Sequence, residues 1–276
     1  MHKVDEMDQN TLRKLQMTEL EMLAELDRIC RKNAIPYILD GGTMLGAVRH
    51  GGFIPWDDDV DVRMLRKNYD RFCEICRKEL DSKYFLQTYR TDSGYRWGYA
   101  RILKNGTVFK RKGQHKMTAR NGVFIDIFPD DNLPAAFWGK KMCNGISWLC
   151  RKLLYSEVGA LNKNKFSSWI GFNFLNMFPK YWGHKGVEYL TEKYADCNTP
   201  HVRCLSWGAG FESKGFLKKW HTETKEYTFE GLKVPGPIDM EGYLTHIFGT
   251  DYMKLPPEEK RYPGHVADYI DFGEEV

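Results

Sequence analysis

The spacing of hydrophobic positions changes along the chain and separates helices from strands. From about Asp8 to Lys32, residues Leu12, Leu15, Leu20, Leu23, Leu26 and Ile29 recur at helical intervals between charges. Asn33 and Pro36 mark the end of that helix. Tyr37-Ile38-Leu39 reads as a short strand entering a glycine turn, and Thr43–His50 as a short helix closed by Gly51-Gly52. Asp58 to Met64 alternates polar with apolar and predicts a strand. A period of two puts Asp57, Asp59 and Asp61 on one face, with Val60 and Val62 toward a core. Helical spacing returns over Asn68–Leu80, and strand patterns follow at Tyr84–Tyr89, Tyr99–Leu103 and Val123–Phe128.

The second half reads differently. Ala136 to about Ala160 has a helical pattern dense in Trp and Cys. Phe166–Phe178 carries no charge and holds Trp169, Phe172, Phe174 and Phe178. It suits a core helix or a surface docked on a membrane or partner, although the stretch lacks the charges of an interfacial helix. A helix near Gly186–Cys197 follows, then strand-like pieces near Leu205–Trp207, Tyr227–Phe229 and Leu232–Val234. Pro235 and Pro237 precede a helix over Met240–Phe248, and the tail from Leu255 to His265 is irregular and rich in proline. With no internal repeat, the simplest partition is an α+β core over 1–133 and a mostly helical region over 134–276.

Composition narrows the function classes. The 276 residues are 42% hydrophobic, enough to bury a substantial core. A net charge of +4, with the basic residues dispersed, does not describe a nucleic-acid binder. Lys110-Arg111-Lys112 is the compact basic run, either a solvated turn or a contact for an anion. Seven cysteines, an odd number, do not form a disulfide scaffold, and Cys73 and Cys76 fit a helical pattern as core thiols. The polar start carries no signal-peptide pattern and no stretch has the apolar length of a membrane span. These features place the protein in the cytoplasm, with peripheral contact at the inner face of the membrane left open.

The informative stretch runs from Gly41-Gly42-Thr43 through Arg49 to Trp56-Asp57-Asp58-Asp59-Val60-Asp61. Glycines there leave backbone N–H groups open to phosphate oxygens, assisted by the start of a helix, and Arg49 can add positive charge. The carboxylates then need a cation to offset their repulsion. Asp59 and Asp61 can reach one site, and Asp126, a lone acid in the apolar strand Val123–Phe128, can complete it if the strands are neighbours. Three carboxylates suit Mg²⁺ or Mn²⁺. Asp57-x-Asp59-x-Asp61 begins like a calcium loop, but Val62 stands where a Gly belongs and Asn68 where a Glu belongs. Asp57 supports the metal shell or binds Arg49. Trp56, Arg101, Lys104 and His265 are candidate substrate contacts, each with an alternative reading as an ordinary surface or core residue.

The stretch Leu39–Val62, with Gly122–Pro129 and Phe248–Pro257, resembles the LicD family, whose members include bacterial phosphocholine transferases and, more distantly, fukutin and fukutin-related protein. The likeness spans about residues 20–270 and is weakest over 135–215. It implies a nucleotidyltransferase fold of the DNA-polymerase-beta type, with a phosphate turn at Gly41-Gly42, a metal pair at Asp59 and Asp61, and Asp126 as third carboxylate or general base. It further implies transfer of a phosphorylated alcohol from a CDP-alcohol to a glycan hydroxyl with release of CMP. Phosphocholine from CDP-choline is the first expectation. The acceptor would be teichoic acid, lipopolysaccharide or a lipid-linked oligosaccharide. A nucleotidyltransferase moving an NMP from an NTP onto a sugar, and a noncatalytic glycan-binding module, are the alternatives. Aromatic faces such as Trp56, Tyr95, Trp97, Tyr99 and Trp207 suit a quaternary ammonium group, and the sequence does not choose among them.

Overall fold

A computed structural model describes residues 7–111, 118–161, 166–207, 214–265 and 267–273. Helix α1 (Gln9–Lys32) starts where the Asp8 carboxylate accepts the amides of Asn10 and Thr11, and it buries Leu12, Leu15, Met22, Leu23, Leu26 and Ile29. Its buried face lies under a mixed sheet. The first strands are β1 (Ile38–Leu39) and β2 (Asp61–Leu65), separated by helix α2 (Gly41–Arg49). After helix α3 (Arg66–Glu79) come β3 (Tyr84–Gln87), β4 (Ala100–Lys104), β5 (Val108–Arg111) and β6 (Phe124–Asn132). Strand order is β1-β2-β6-β4-β3, and the far end of β6 pairs with β7 (His201–Arg203), which pairs with β8 (Phe216–Leu217).

Strand β6 is the spine of this sheet. It runs parallel to β2, with Asp61 beside Asp126, and antiparallel to β4, with Arg101 on the other side of Asp126. Pro129 interrupts neither ladder: pairing with β4 ends at Ile127, and pairing with β7 begins at Asp131, so its missing N–H falls between them.

The strand expected over Asp58–Met64 begins only at Asp61. Asp58 is the reason: its two carboxylate oxygens accept the backbone amides of Gly264 and His265, which holds the preceding segment in a turn. Alternation therefore reflected burial on two sides of a loop as well as a strand face.

Helices α4 (Phe137–Leu161), α5 (Phe166–Asn176) and α6 (Lys180–Tyr194) form the helical region. Cys143, Cys150, Val187, Leu190 and Tyr194 pack there with Leu133 and Leu205. The chain then rejoins the main core. Helix α7 (Lys219–Thr222), the hairpin β9 (Thr224–Phe229) and β10 (Leu232–Pro237), and α8 (Met240–Phe248) contribute Trp220, Phe229, Val234, Tyr243 and Leu244 to it. The last strand, β11 (Ala267–Asp271), pairs with β5. All seven cysteines are free thiols, five of them buried. This is a mixed α+β sheet with flanking helices and a separate helical region, the architecture of a nucleotidyltransferase-like fold. No helix among the described residues is long and apolar enough to cross a membrane.

Candidate active site

Backbone pairing fixes the acidic segment from three directions. The Asp61 amide donates to Thr43 Oγ1 at 2.9 Å, the Asp61 carbonyl accepts the Asp40 amide at 2.9 Å, and the Val60 carbonyl accepts the Asp126 amide at 3.0 Å. From α1, the Gln16 amide group donates to the Asp57 carbonyl at 2.9 Å. The acids are thus gathered over the start of α2 and the Asp61 end of the β2–β6 pair.

That gathering carries a large electrostatic cost. Burial raises the Asp59 carboxyl to about 6; His265 pulls against the shift, and the charges of Asp58 and Asp126 add to it. Asp61 and Asp57 are held well above the carboxylate range, by burial first and then by their acidic neighbours. Asp61 Oδ1 is buried without a hydrogen-bond partner. Such an orphaned oxygen among repelling acids fits a divalent cation, which would satisfy the oxygen and offset the charge. Carboxylate oxygens of Asp58 and Asp59 and a ring nitrogen of His265 lie within 4.8 Å of one another, close enough to share one ion. His265 Nδ1 is 3.2 Å from Asp59 Oδ2 and 3.5 Å from Asp58 Oδ1.

Asp126 has a different environment. Arg101 Nε donates to its Oδ1 at 2.6 Å and Nη2 to its Oδ2 at 3.3 Å, and both residues are buried. Arg101 is therefore an internal counter-charge. Lys104, at the end of β4, points to Glu21 of α1 at 3.2 Å.

The glycine turn serves two purposes. Gly41 has φ +47°, a left-handed conformation that glycine adopts without strain, and its amide donates to Asp40 Oδ1 at 2.8 Å. Gly42 admits Asp57: a Cβ there would stand 2.6 Å from Asp57 Oδ2. First-turn amides of a helix have no acceptor within it, so those of Gly42 and Thr43 are the ones left for an anion. Arg49 lies nearby but is anchored, its Nη1 donating to the Tyr252 carbonyl at 2.9 Å and the Lys254 carbonyl at 3.3 Å. Trp56 is half-buried beside His50, with the Arg261 guanidinium 5.5 Å from its ring.

Four residues stand out that the sequence pattern did not single out for the site. Asp58 is the latch described above. Arg111, at the end of β5, has Nε and Nη2 buried without hydrogen-bond partners. Burial and Arg101 press its guanidinium below the ordinary range, with Asp126 and Asp59 pulling the other way. It belongs to the basic run Lys110-Arg111-Lys112, of which Lys110 is exposed and Lys112 lies outside the described residues. Glu19 of α1 is 1% exposed with Oε2 unpartnered, and burial plus the charges of Asp59, Asp58, Asp57 and Asp61 raise its carboxyl well above the usual range. Asp40 belongs to a buried charge chain behind the site. Arg63 Nε is 2.6 Å from Asp40 Oδ2, Arg63 Nη1 is 2.8 Å from Asp130 Oδ1, and His221 Nε2 is 2.9 Å from Asp130 Oδ2.

A cavity of about 420 Å³ lies elsewhere, between α3, the loop after β3, and α6, and no acid of the cluster lines it. The chemistry belongs with the acids, because charge and orphaned polar atoms converge there.

The LicD/FKTN/FKRP nucleotidyltransferase domain matches residues 34–145, which include the whole acid cluster except Glu19 and His265. The lipopolysaccharide cholinephosphotransferase LicD of Haemophilus influenzae is 29% identical over 269 residues, covering 94% of this chain and 97% of that protein. The ribitol 5-phosphate transferases FKRP of mouse and human are 46% identical over 43 residues, 16% of this chain and 8% of theirs. Fold and site together define an enzyme of the nucleotidyltransferase superfamily. Within it, residues 34–145 carry the LicD-family domain, with a distant likeness to FKRP.

Proposed function

We propose that this protein transfers a phosphorylated alcohol from a CDP-alcohol to a sugar hydroxyl of a surface glycan, releasing CMP. CDP-choline is the first donor to test, because the relative similar over nearly the whole chain is named a cholinephosphotransferase and the similarity to ribitol 5-phosphate transferases is confined to one segment. The acceptor class is a teichoic acid, lipopolysaccharide or lipid-linked oligosaccharide, met on the cytoplasmic side. The segment 1–133 is the catalytic core, and 134–276 completes the site through His265.

The observation that carries this reading is the juxtaposition of crowded buried acids with a cation whose guanidinium nitrogens are not all hydrogen-bonded. Asp61 Oδ1 and the Nε and Nη2 of Arg111 are buried without hydrogen-bond partners among the described residues, the Arg111 guanidinium lies 4.5 Å from the Phe124 ring, and its Coulomb interactions run to Asp126 and Asp59. A divalent metal with a diphosphate satisfies both demands at once.

Asp59 and Asp61, with Asp58 and His265 beside them, would hold Mg²⁺ or Mn²⁺. When bound, that ion offsets negative charge on the diphosphate and lowers the barrier to displacement at phosphorus. Arg111 and the free amides of Gly42 and Thr43 bind phosphate oxygens and stabilise charge that grows on the departing CMP. The sugar oxygen forms a bond to the phosphorus bearing the alcohol, while the bond from that phosphorus to the bridging oxygen breaks and its electron pair leaves with CMP. The hydroxyl proton passes to a carboxylate. Asp59 and Asp61 are committed to the metal, so Asp126, which Arg101 holds in place, is the carboxylate left to take it. Asp126 then acts as the third carboxylate, holding the acceptor side of the site in register with Asp61.

The test is a panel of CDP-alcohols with Mg²⁺ or Mn²⁺ and candidate glycans, read as CMP release. CMP formed only with a glycan and a divalent ion is expected, and Arg111→Met should weaken CDP affinity by about tenfold or more. Pyrophosphate released from CTP with a sugar, and no CMP from any CDP-alcohol, would replace this reading with nucleotidyl transfer.

A further inference from the structure

The helical region carries an outward face that packing does not explain. Helix α5 has no buried residue and no charged residue, and Phe166, Ile170 and Phe174 are 73%, 49% and 59% exposed. On α4, Trp138, Met142, Trp148, Leu149 and Tyr155 are exposed, whereas Cys143, Cys150 and Leu154 are buried. At the start of α6, Tyr181 and Trp182 are 61% and 56% exposed. Large apolar side chains exposed on three consecutive helices are the composition of an interaction surface.

Charge indicates what covers it. Helix α4 holds Lys140, Lys141, Arg151 and Lys152 against one acid, Glu157, which Arg96 pairs. The lysines stand among the aromatics: Lys141 is 4.6 Å from the Phe137 ring and 5.3 Å from that of Trp138, and Lys152 is 5.4 Å from the Phe172 ring of α5. The charge that α5 lacks in its own sequence is thus supplied by the helix beside it. Exposed Trp, Tyr and Phe interleaved with lysine match the apolar-to-anionic boundary of a lipid headgroup layer.

We propose that the α4–α5 face, with the start of α6, docks the protein on an anionic lipid bilayer without crossing it. The docking is independent of which donor the active site uses, and its readout needs no catalysis.

The experiment is flotation of the full chain with vesicles of phosphatidylcholine alone or mixed equally with phosphatidylglycerol, at low and high salt, alongside tryptophan emission. Partition at least tenfold stronger into the anionic vesicles is expected, weakened by salt and accompanied by a blue shift. Phe166→Ser with Phe174→Ser should reduce partition about tenfold or more, and Lys141→Glu with Lys152→Glu should remove the preference for anionic vesicles. Thermal unfolding and Mn²⁺ affinity should stay at the parent level in both variants, which separates lost docking from lost fold. Partition into neither vesicle, equal partition into both, or partition unchanged by both variants would overturn the proposal. So would a concentration-dependent dimer that the Phe variant abolishes without any vesicle binding, since the face would then belong to a second copy of the chain.

Discussion

Asp61 and Asp126 occupy one register position of the parallel β2–β6 pair, yet Arg101 neutralises Asp126 alone. Two acids that look alike in the sequence therefore differ in what they need. Asp126 is satisfied within the protein, whereas Asp61 keeps a buried oxygen without a partner. A ligand at Asp61 and Asp59 would complete the cluster, which the fold braces at Asp126.

Removing one of the crowded acids should cost metal affinity and gain metal-free stability. Asp59 titrates near 6 in the fold against about 4 in an unfolded chain. Between those values the folded state holds a proton that the unfolded state has released, so metal-free stability falls as pH rises from about 4 to about 6 and stays low above. Asp59→Asn should remove that slope and raise metal-free stability at pH 7 by about 1–3 kcal/mol. Asp61→Asn should act in the same direction. Mn²⁺ titration calorimetry and metal-free melting decide the matter: parent-level metal affinity in both variants would end the metal assignment.

The Arg101–Asp126 pair should show the opposite signature. Arg101→Met leaves Asp126 buried and unpaired and should destabilise the protein by about 3–5 kcal/mol, part of it recovered on adding Asp126→Asn. Asp126→Asn alone should still lower turnover per folded molecule, because the carboxylate charge beside Asp61 is gone. Parent-level turnover in the folded fraction would leave Asp126 with a structural role only.

Gly42 should behave as a spacer for Asp57. The 2.6 Å approach of a Cβ to Asp57 Oδ2 forces the carboxylate aside. Gly42→Val should therefore weaken donor binding more than acceptor binding, and Gly42→Ala should destabilise by about 1–3 kcal/mol. Adding Asp57→Gly should restore the stability of Gly42→Ala and leave CDP affinity low. Calorimetry with CDP at saturating Mg²⁺ checks this, and unchanged affinity in Gly42→Val would place the phosphates elsewhere.

Much of this site was legible in the sequence because its signals were local. Gly41-Gly42, the acids 57–61 and the lone Asp126 each announced themselves through neighbours within a few positions, and helix α1 and strand β6 followed from periodicity. Contributions brought from a distance were not legible in the same way. Asp58 looked like one acid among four until the tail 206 residues later delivered the amide of Gly264 to it. Arg111 sits in a basic run that suits a solvated turn or a contact for an anion; its inward position goes with the pairing of β5 to β11 and its packing on Phe124. Glu19 stands next to Leu20 in an amphipathic helix, where a charge reads as solvent-facing; its burial depends on the acid loop packed over α1.

The Asp58 latch ties the tail to the acid cluster and can be opened by one substitution. Asp58→Ala removes acceptors for the amides of Gly264 and His265, at 2.9 and 2.8 Å, and should cost about 2–3 kcal/mol. Mn²⁺ affinity should fall with it, since His265 is no longer held beside Asp59. His265→Ala should lower affinity with little loss of stability. Amide exchange at His265 is the direct measurement: protection equal to that of the parent in Asp58→Ala would show that something else fastens the tail.

A pH signature should also come from outside the active site. His184 of α6 is 9% exposed and stacks on Tyr89 with ring centroids 4.1 Å apart, joining the helical region to the loop after β3. Burial lowers its titration to about 4; Glu188 opposes that shift and Arg96 adds to it. The ring is therefore neutral in the fold at pH 7, while an unfolded chain protonates it near 6.5. The sign follows from proton counting. Above about 6.5 neither state is protonated at this site and the stability contribution is complete. As pH falls from 6.5 toward 4 the unfolded state takes up the proton first, and stability is lost, reaching about 3 kcal/mol once both states are protonated. His184→Phe keeps an aromatic face for Tyr89 and removes the proton site. Urea midpoints for parent and variant at pH 7 and pH 4.5 isolate this residue, since every other titrating group is common to both chains. The variant should lose less stability than the parent between those two conditions, by about 2 kcal/mol. An identical loss in both would mean that His184 is protonated in the folded protein at pH 4.5, and that its burial does not keep it neutral.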